Sequence, residues 1–410
     1  MHLTSASILL EPHEFSERRK RARLSGSPAW LWPEVSTDAW SGALTDIAAA
    51  AAAILRGEIG KLSTKDPAAL SLACYTAGVG PLLGWWLEQG MLTASADIGE
   101  LLKLHLAQAR ARRSRIEEQS HDVVARLVAL DIPFIVLKGG HTAYRYFPDP
   151  ATRPASDLDL LVSPARFSAA ERALAVAGFC CVARHKRESA WSRTSVEPRS
   201  LWLVHEDDPW SVDVHSSLDF AASAGAPLVR FDLARPFDDP ERWALDPAGG
   251  VLRQPLLLLH LAVHASGGLH NLTLLRIIEI ILVLQQDVAS GLLSWPEFVR
   301  LAEEIDGLGA AYPALLMSDK LLPGIVPPEV LTRCADAAPV RARRIVEGLD
   351  PALAHRVDRS SISEHFMWVS GMRGWIRQLV TDLLPASSDR SVWSIYQARL
   401  YRLIRRRISR

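Results

Sequence analysis

Five short runs of β-forming residues, set between two long stretches of helical pattern, constrain the fold of this chain more than any other feature. The runs are FIVLK (134–138), DLDLLV (157–162), FCCVA (179–183), LWLVH (201–205) and SVDVH (211–215). Helical sequence such as PARFSAAERALAVAG separates several of them, and EDDPW predicts a hairpin turn between the last two. The pattern predicts an α+β fold, in which a small mixed β-sheet is flanked by N-terminal and C-terminal helical regions.

The same periodicity divides the 410 residues into four predicted regions. These are an N-terminal helical region (1–130), an α/β core (131–220), a connection containing prolines (221–254) and a C-terminal helical region (255–410). HLAQARARRSRIEEQSHDVVARLVAL predicts one long amphipathic helix that Asp131-Ile132-Pro133 ends. LRIIEIILVLQQ and WPEFVRLAEEI predict two of the later helices.

Charge and composition limit the classes of binding partner and the cellular compartment that are expected for this chain. Lysine plus arginine (46) equals aspartate plus glutamate (46), which argues against a nucleic-acid partner. The four cysteines are too few and too scattered for a disulfide framework, and none has the CxxC spacing of a metal motif. The first residues lack the features of a signal peptide. A cytoplasmic location is therefore expected. The longest uncharged run, 254–275, contains three histidines and Ser-Gly-Gly midway, which favours an interrupted core helix or a helix pair over a membrane span.

Two aspartates inside an apolar strand form the main candidate for chemistry. Because strand side chains alternate, Asp157 and Asp159 are predicted to share one face while Leu158 and Leu160 enter the core. Paired carboxylates repel each other unless a cation lies between them, and Mg²⁺ prefers such oxygen ligands. A third acid, Asp213 in SVDVH, would join the patch if its strand pairs alongside, and three acids can hold two metals roughly 3.5–4 Å apart.

A glycine pair and two cations lie close to these acids in the sequence. Gly139 and Gly140 follow the first strand and precede a helical stretch, which predicts a turn where phosphate approaches backbone N–H groups. Lys138 adds a point charge, and Arg153 adds a planar fork that can bind phosphate through two bonds. The simpler interpretation of Asp157 and Asp159 is a surface strand whose polar face meets solvent, and that of Asp213 is a solvated residue in a short strand.

Several further residues have both a functional and a structural interpretation. His215 shares the predicted strand face of Asp213, and it either orients a phosphate or metal-bound water or is a half-buried polar residue. His260 and His264 have a spacing that can chelate zinc, but no third ligand completes the set, so core or supporting histidines are expected. Arg276 and Glu279 are predicted to form an ion pair, with contact to a nucleotide as the alternative.

The C-terminal stretch carries seven arginines from Arg390 onward and no acid after Asp389. Three aromatic residues are interleaved with these arginines. The stretch predicts a solvated basic helix, and binding to an acidic peptide, RNA or a membrane surface is the alternative.

The run IPFIVLKGGHTAYRYFPDPATRPASDLDLLV, followed by VDVH and by LLLLHLAVH and LLRIIEI, resembles the uncharacterised bacterial nucleotidyltransferase family of the DNA polymerase beta-like superfamily. The likeness spans roughly residues 109–302. It implies that Gly139 and Gly140 are the phosphate-binding turn, that Asp157 and Asp159 are metal ligands, and that Asp213 is the third acid. The sequence has Gly-Gly where most of the superfamily has Gly-Ser, and a longer gap to the first aspartate. Members of the family occur beside peptide natural-product genes, including lasso peptide clusters, which implies a tailoring role.

The leading hypothesis is a nucleotidyltransferase that uses two Mg²⁺ ions, with Mn²⁺ as a substitute, and moves a nucleoside monophosphate from a triphosphate such as ATP to a small-molecule or peptide acceptor. Ser156 completes its predicted nucleotide-binding residues, and His215, His264 and Arg276 are its predicted supporting residues. One alternative is a glycosyltransferase that uses a sugar nucleotide, because Asp-Leu-Asp also fits the DxD metal motif. The other is a binding module without catalysis.

Overall fold

The computed structural model of the protein describes residues 8–25, 27–185, 187–193, 197–221, 223, 226, 228–231, 245–246, 249–269, 271–355, 364, 366–369 and 371–383. Within these residues the fold is α+β, with one small mixed sheet among many helices, which confirms the predicted fold class. The arginine-rich segment at 390–410 and most of the predicted connection lie outside the described residues. The division into four regions stays a prediction.

The helices occupy both sides of the sheet-forming sequence. In chain order they are α1 (Glu14–Ser25), α2 (Thr37–Leu55), α3 (Pro67–Ala77), α4 (Gly80–Glu88), α5 (Ala96–Ala129), α6 (Gly139–Arg145), α7 (Phe167–Val176), α8 (Leu256–Ser266), α9 (Leu274–Ala289), α10 (Trp295–Glu304), α11 (Leu308–Leu321), α12 (Pro328–Ala337), α13 (Val340–Glu347) and α14 (Gly371–Leu383). Three short 3-10 helices lie at Pro28–Leu31, Pro150–Thr152 and Pro351–Leu353. Helix α5 contains the predicted long helix, and it ends one residue before Leu130.

The strands form a two-stranded and a seven-stranded sheet. They are β1 (Gly60–Lys61), β2 (Leu92–Thr93), β3 (Phe134–Val136), β4 (Asp157–Val162), β5 (Cys180–Arg184), β6 (Glu188–Ser192), β7 (Ser211–His215), β8 (Leu245–Asp246) and β9 (Gly249–Val251). The larger sheet has the order β5-β6-β7-β4-β3-β9-β8. Strand β4 lies at its centre, parallel to β7 and antiparallel to β3. The sheet is therefore mixed, as predicted.

The two faces of the central strands have different neighbours. Leu158, Leu160 and Val162 of β4 pack on the face covered by α5 and α7, together with the valines of β7. Leu161 points the other way, into the core that α8 and α9 help to form. This alternation confirms that the leucines of β4 enter a core while its aspartates occupy the opposite face. That opposite face, turned toward α8 and α9, is where the candidate site lies.

The predicted strand LWLVH is wrong, the other four predicted strands correspond to β3, β4, β5 and β7, and the strands β1, β2, β6, β8 and β9 were not predicted. LWLVH is not a strand, because its backbone carbonyls are bound by side chains from elsewhere: Trp32 Nε1 donates to Leu201 O (2.7 Å) and Ser71 Oγ donates to Trp202 O (2.9 Å). Its buried side chains pack against N-terminal residues. The partner of β7 is instead β6, which begins at Glu188 and pairs antiparallel with it. The predicted EDDPW hairpin is therefore wrong as well.

The N-terminal and C-terminal helices share one hydrophobic core, which contains buried residues from α2 to α4 and from α8 to α13. The uncharged run at 254–275 forms α8, a break and the start of α9, as the helix-pair interpretation predicts. Among the described helices, none alone is long and apolar enough to cross a membrane. Helices α3 and α4 pass that test only as a pair, and they are bent by 112° relative to each other.

Candidate active site

Strand pairing brings the three predicted acids together. In the parallel pair β4 and β7, Asp159 lies opposite Asp213, and Asp157 lies two residues earlier on the same face. One carboxylate oxygen from each of the three residues lies within 4.8 Å of the others. Among the described residues, this is the one group of acidic, histidine or cysteine side chains with the spacing of a metal site. The predicted convergence of the acids is thus present in the structure.

The electrostatics of the cluster favour a bound cation. Burial, followed by the charge of Asp159, raises the pKa of Asp157 above its ordinary value. Burial and the charge of Asp157 raise the pKa of Asp213 to about 6. The Oδ1 atom of Asp213 is buried and has no hydrogen-bond partner. An unpartnered carboxylate oxygen beside two other acids fits a divalent metal, since hard oxygen ligands are what Mg²⁺ prefers.

Asp159 differs from the other two acids because it has cationic and histidine partners. Lys138 Nζ lies 3.0 Å from its Oδ1, and His215 Nε2 donates to the same oxygen at 2.8 Å. Burial alone would raise the pKa of Asp159, but Lys138 and His215 hold it well below its usual range. Both donors use Oδ1, and Oδ2 accepts no hydrogen bond from the described residues, so one oxygen stays available to a metal. The other nitrogen of His215, Nδ1, lies 3.7 Å from Glu188.

The two glycines of the predicted phosphate-binding turn are closely packed against neighbouring side chains. The backbone N–H of Gly140 donates to Leu137 O (3.1 Å), and a Cβ at this position would lie 2.5 Å from Val136. A Cβ on Gly139 would lie 1.9 Å from Arg153 Nη1. The two glycines are therefore needed for close packing, and Gly140 has no free N–H to offer a phosphate. Lys138, just before them, has a φ of 44°, a strained value for a side chain other than glycine.

Arg153 is held in a buried ion pair, which the sequence did not predict. Its Nε and Nη2 donate to the two carboxylate oxygens of Glu279 on α9, at 2.8 and 3.0 Å. Thr142 of α6 donates to the same carboxylate. Burial alone would lower the pKa of Arg153, but the charge of Glu279 holds it above its ordinary value. The guanidinium that was predicted to bind phosphate thus connects the loop before β4 to α9.

Arg276 does not form the predicted pair with Glu279. Its Nη1 instead donates to Nδ1 of His264 at 3.2 Å. Burial, with the positive charges of Lys138 and Arg276, lowers the pKa of His264 well below its usual value. Burial also lowers the pKa of His260 to about 3, so both imidazoles are neutral at neutral pH. The ring centroids of the two histidines are 6.1 Å apart.

These groups line one cavity of about 580 Å³, a volume within the range of small-molecule sites. Ser156, which is exposed, also lines it, whereas Gly140 does not. One wall is the sheet face with the three acids, and the facing wall comes from α8, α9 and the segment that joins them. Aromatic and aliphatic side chains complete the lining: Tyr75, Leu137, Leu218, Phe220, Phe231, Val263 and Leu275. The cavity is large enough for an organic substrate beside the acidic cluster.

Sequence reasoning missed Glu279 as the partner of Arg153, as well as Thr142 and Glu188. Spacing on one helix suggested that Glu279 pairs with Arg276, but the real partner lies 126 residues earlier. The apolar surroundings of Glu279 on α9 were the available signal, since a lone acid in such a stretch is buried only with a partner. Glu188 was hidden because its strand was not predicted.

A cluster of three carboxylates on adjacent strands, beside a cavity with several cations, defines a candidate divalent-metal site for a phosphorylated substrate. Residues 63–323, more than half of the chain, match the model of the family described as "Uncharacterised nucleotidyltransferase". The chain belongs to this family, which places it among the transferases of phosphorus-containing groups. The match is wider than the resemblance at 109–302, because it begins near α3 and ends after α11. No curated protein and no solved structure shows significant similarity to the chain.

Proposed function

We propose that the protein is a Mg²⁺-dependent nucleotidyltransferase that moves a nucleoside monophosphate from a nucleoside triphosphate to a hydroxyl or phosphate oxygen of a small molecule or peptide. The observation that carries this proposal is the approach of Asp157, Asp159 and Asp213 to within 4.8 Å in a chain of this family. These three residues would hold two metal ions. The bound ions would act as Lewis acids toward the phosphates.

The remaining residues have proposed roles in binding and proton transfer. The acceptor oxygen forms a bond to the α-phosphorus, the bond from that phosphorus to the β-phosphate bridge breaks, and pyrophosphate leaves. Asp213 is proposed to take up the proton of an acceptor hydroxyl, because its Oδ1 has no hydrogen-bond partner among the described residues. Lys138 contributes positive charge beside the phosphates, and Ser156 lies at the mouth of the same cavity.

The first test is the Asp157→Asn variant, assayed with each of the four ribonucleoside triphosphates and Mg²⁺ or Mn²⁺. Transfer should fall by about 100-fold or more, because the variant removes a metal ligand, while the circular dichroism spectrum stays unchanged. Asp122→Asn is the matched control, since Asp122 is an exposed acid on α5 away from the cavity. Wild-type transfer by Asp157→Asn would end the proposal.

Mass spectrometry of a treated acceptor separates this function from glycosyl transfer, which the Asp157-Leu158-Asp159 motif also permits. A mass gain equal to a nucleoside monophosphate supports nucleotidyl transfer. A gain equal to a hexose, with a sugar nucleotide as donor, would replace it with the glycosyltransferase alternative. Candidate acceptors are the peptides and small molecules encoded or made by neighbouring genes, in keeping with the tailoring role that the family resemblance implies.

A further inference from the structure

Arg276, on the cavity wall that α9 contributes to, carries a guanidinium without a close counterion in the part of the chain that the structure describes. Three other cations in the cavity have acidic partners within 3.5 Å: Lys138 with Asp159, Arg153 with Glu279, and Arg187 with Asp219. Arg276 has no carboxylate within 4.0 Å among the described residues. Its one hydrogen bond to a described side chain goes to the neutral imidazole of His264.

Burying the positive charge of Arg276 without an anion beside it costs free energy. Burial lowers the pKa of Arg276 and the charge of Arg153 lowers it further, while the charges of Glu279, Asp157 and Asp159 offset only part of this effect. The hydrogen bond to His264 orients the guanidinium without neutralising it, because a neutral imidazole carries no charge. A buried, oriented guanidinium with no carboxylate hydrogen-bonded to it is suited to bind an oxyanion through two parallel hydrogen bonds.

The two histidines add hydrogen-bonding nitrogens, and the tautomer of His264 is fixed by its contact with Arg276. A guanidinium only donates, so Nδ1 of His264 must be the acceptor, and its Nε2 therefore carries the hydrogen. His260, one turn earlier on α8, is 5% exposed and lines the same cavity. Its Nε2 is buried and has no hydrogen-bond partner among the described residues. A buried polar nitrogen without a partner on a cavity wall indicates a group that a ligand would satisfy.

We infer that Arg276, His260 and His264 form an oxyanion subsite that binds a phosphate group of the substrate across the cavity from the acidic cluster. The inference rests on the proposed function only for the identity of the substrate as a phosphate compound. The phosphate has two possible sources: the β- and γ-phosphates of the nucleotide, or a phosphate on the acceptor. Both sources present the same chemistry to Arg276, so the experiment must separate them.

The test measures binding of inorganic pyrophosphate to the full chain by calorimetry, both in EDTA and in Mg²⁺. Arg276→Gln should weaken binding by about 10- to 100-fold, which is the range for a lost charge-assisted hydrogen bond. His260→Phe keeps a ring of similar shape and should weaken binding by about 3- to 10-fold. Because no turnover is needed, a loss of pyrophosphate binding is measured even if the chain proves to transfer no nucleotide.

Arg187→Gln is the matched control, since it removes the same charge from the same cavity but from a guanidinium already paired with Asp219 at 3.3 Å. It should change pyrophosphate binding by less than about 3-fold. Equal losses in the Arg276 and Arg187 variants would show only a general effect of charge and would overturn the subsite. Wild-type binding by Arg276→Gln, with an unchanged melting temperature, would overturn it as well.

Comparison of ATP, AMP and inorganic phosphate separates the two sources. If the subsite holds the outer phosphates of the nucleotide, Arg276→Gln weakens ATP binding but leaves AMP binding unchanged. If it holds an acceptor phosphate, ATP affinity is unchanged, and the variant instead loses the binding of inorganic phosphate to the enzyme saturated with ATP. Either result supports an oxyanion subsite at Arg276 and assigns its occupant.

Discussion

The buried pair between Arg153 and Glu279 gives the sharpest prediction about stability. The two side chains have 10% and 2% exposure and are joined by two hydrogen bonds of 2.8 and 3.0 Å. Glu279→Gln keeps the size of the side chain but removes its charge, so the guanidinium of Arg153 stays buried without a counterion. Breaking a buried pair from one side costs about 3–5 kcal/mol, and we expect the free energy of unfolding to fall by that amount.

Urea unfolding, followed by tryptophan fluorescence and circular dichroism without added metal, measures this loss. Glu303→Gln is the matched control, because Glu303 pairs with Arg333 on the surface, where such pairs contribute about 0–1 kcal/mol. The double variant Arg153→Met and Glu279→Leu should lose much less than the sum of the single changes, since it leaves no charge unpaired. Equal losses in the Glu279 and Glu303 variants would refute the reasoning.

The same pair predicts a dependence on pH. Burial alone would raise the pKa of Glu279, but Arg153 holds it below its ordinary value in the folded protein. A lowered folded pKa contributes stability that is present above the unfolded value, about 4.3, and is lost as the pH falls through the folded value. The difference between wild type and Glu279→Gln should therefore be full at pH 7 and should shrink below about pH 4. A difference that grows on acidification would contradict this assignment.

Three further predictions concern the site itself. Asp213 has a pKa of about 6, so a metal that binds its ionised form must displace a proton below that pH. Mn²⁺ affinity measured by electron paramagnetic resonance should therefore drop about 10-fold from pH 7.5 to pH 5. Asp213→Asn should make this dependence weaker, and the raised pKa of Asp157 accounts for what remains. Gly139→Ala places a Cβ 1.9 Å from Arg153 Nη1, and it should lower the free energy of unfolding, measured by thermal unfolding, by about 1–3 kcal/mol. Gly42→Ala is the control, because its new Cβ meets nothing within 4 Å, and it should not lower the free energy of unfolding. Lys138→Met removes the cation that competes for Asp159, so Mn²⁺ should bind roughly 3- to 10-fold more tightly; weaker Mn²⁺ binding would count against that competition.

The acidic cluster could be predicted from sequence because it depends on local alternation. Asp157 and Asp159 share a face whenever their segment is a strand, and valines on both sides of Asp213 place it in the same way. Only the pairing of β4 with β7 had to be assumed. The parallel register that sets Asp159 opposite Asp213 is a tertiary fact, but the similar patterns of the two strands made it a reasonable expectation.

The partners of the cations could not be predicted in this way, since they depend on contacts distant in sequence. The apparent pair of Arg276 and Glu279 follows from helix spacing, yet such pairs on a helix are worth only about 0.2–0.5 kcal/mol. Arg153 offers Glu279 two buried hydrogen bonds, which are stronger because they are shielded from water. The same limit explains the error at LWLVH, where side-chain donors from the N-terminal region replaced a neighbouring strand.

The charged residues of α9 connect the C-terminal helices to the acidic cluster on the sheet. Glu279 and Arg276 lie one turn apart on α9, so the carboxylate that binds Arg153 also fixes the position of the unpaired guanidinium. If Arg276 had paired with Glu279, the cavity would have lost the guanidinium that has no carboxylate partner among the described residues, and Arg153 would have been buried without its counterion. The longer-range pairing therefore does two things at once. It anchors α9 against the loop before β4. It also leaves the guanidinium of Arg276 in the same cavity as the three acids, where a bound metal can neutralise the acids and a bound phosphate can neutralise the guanidinium.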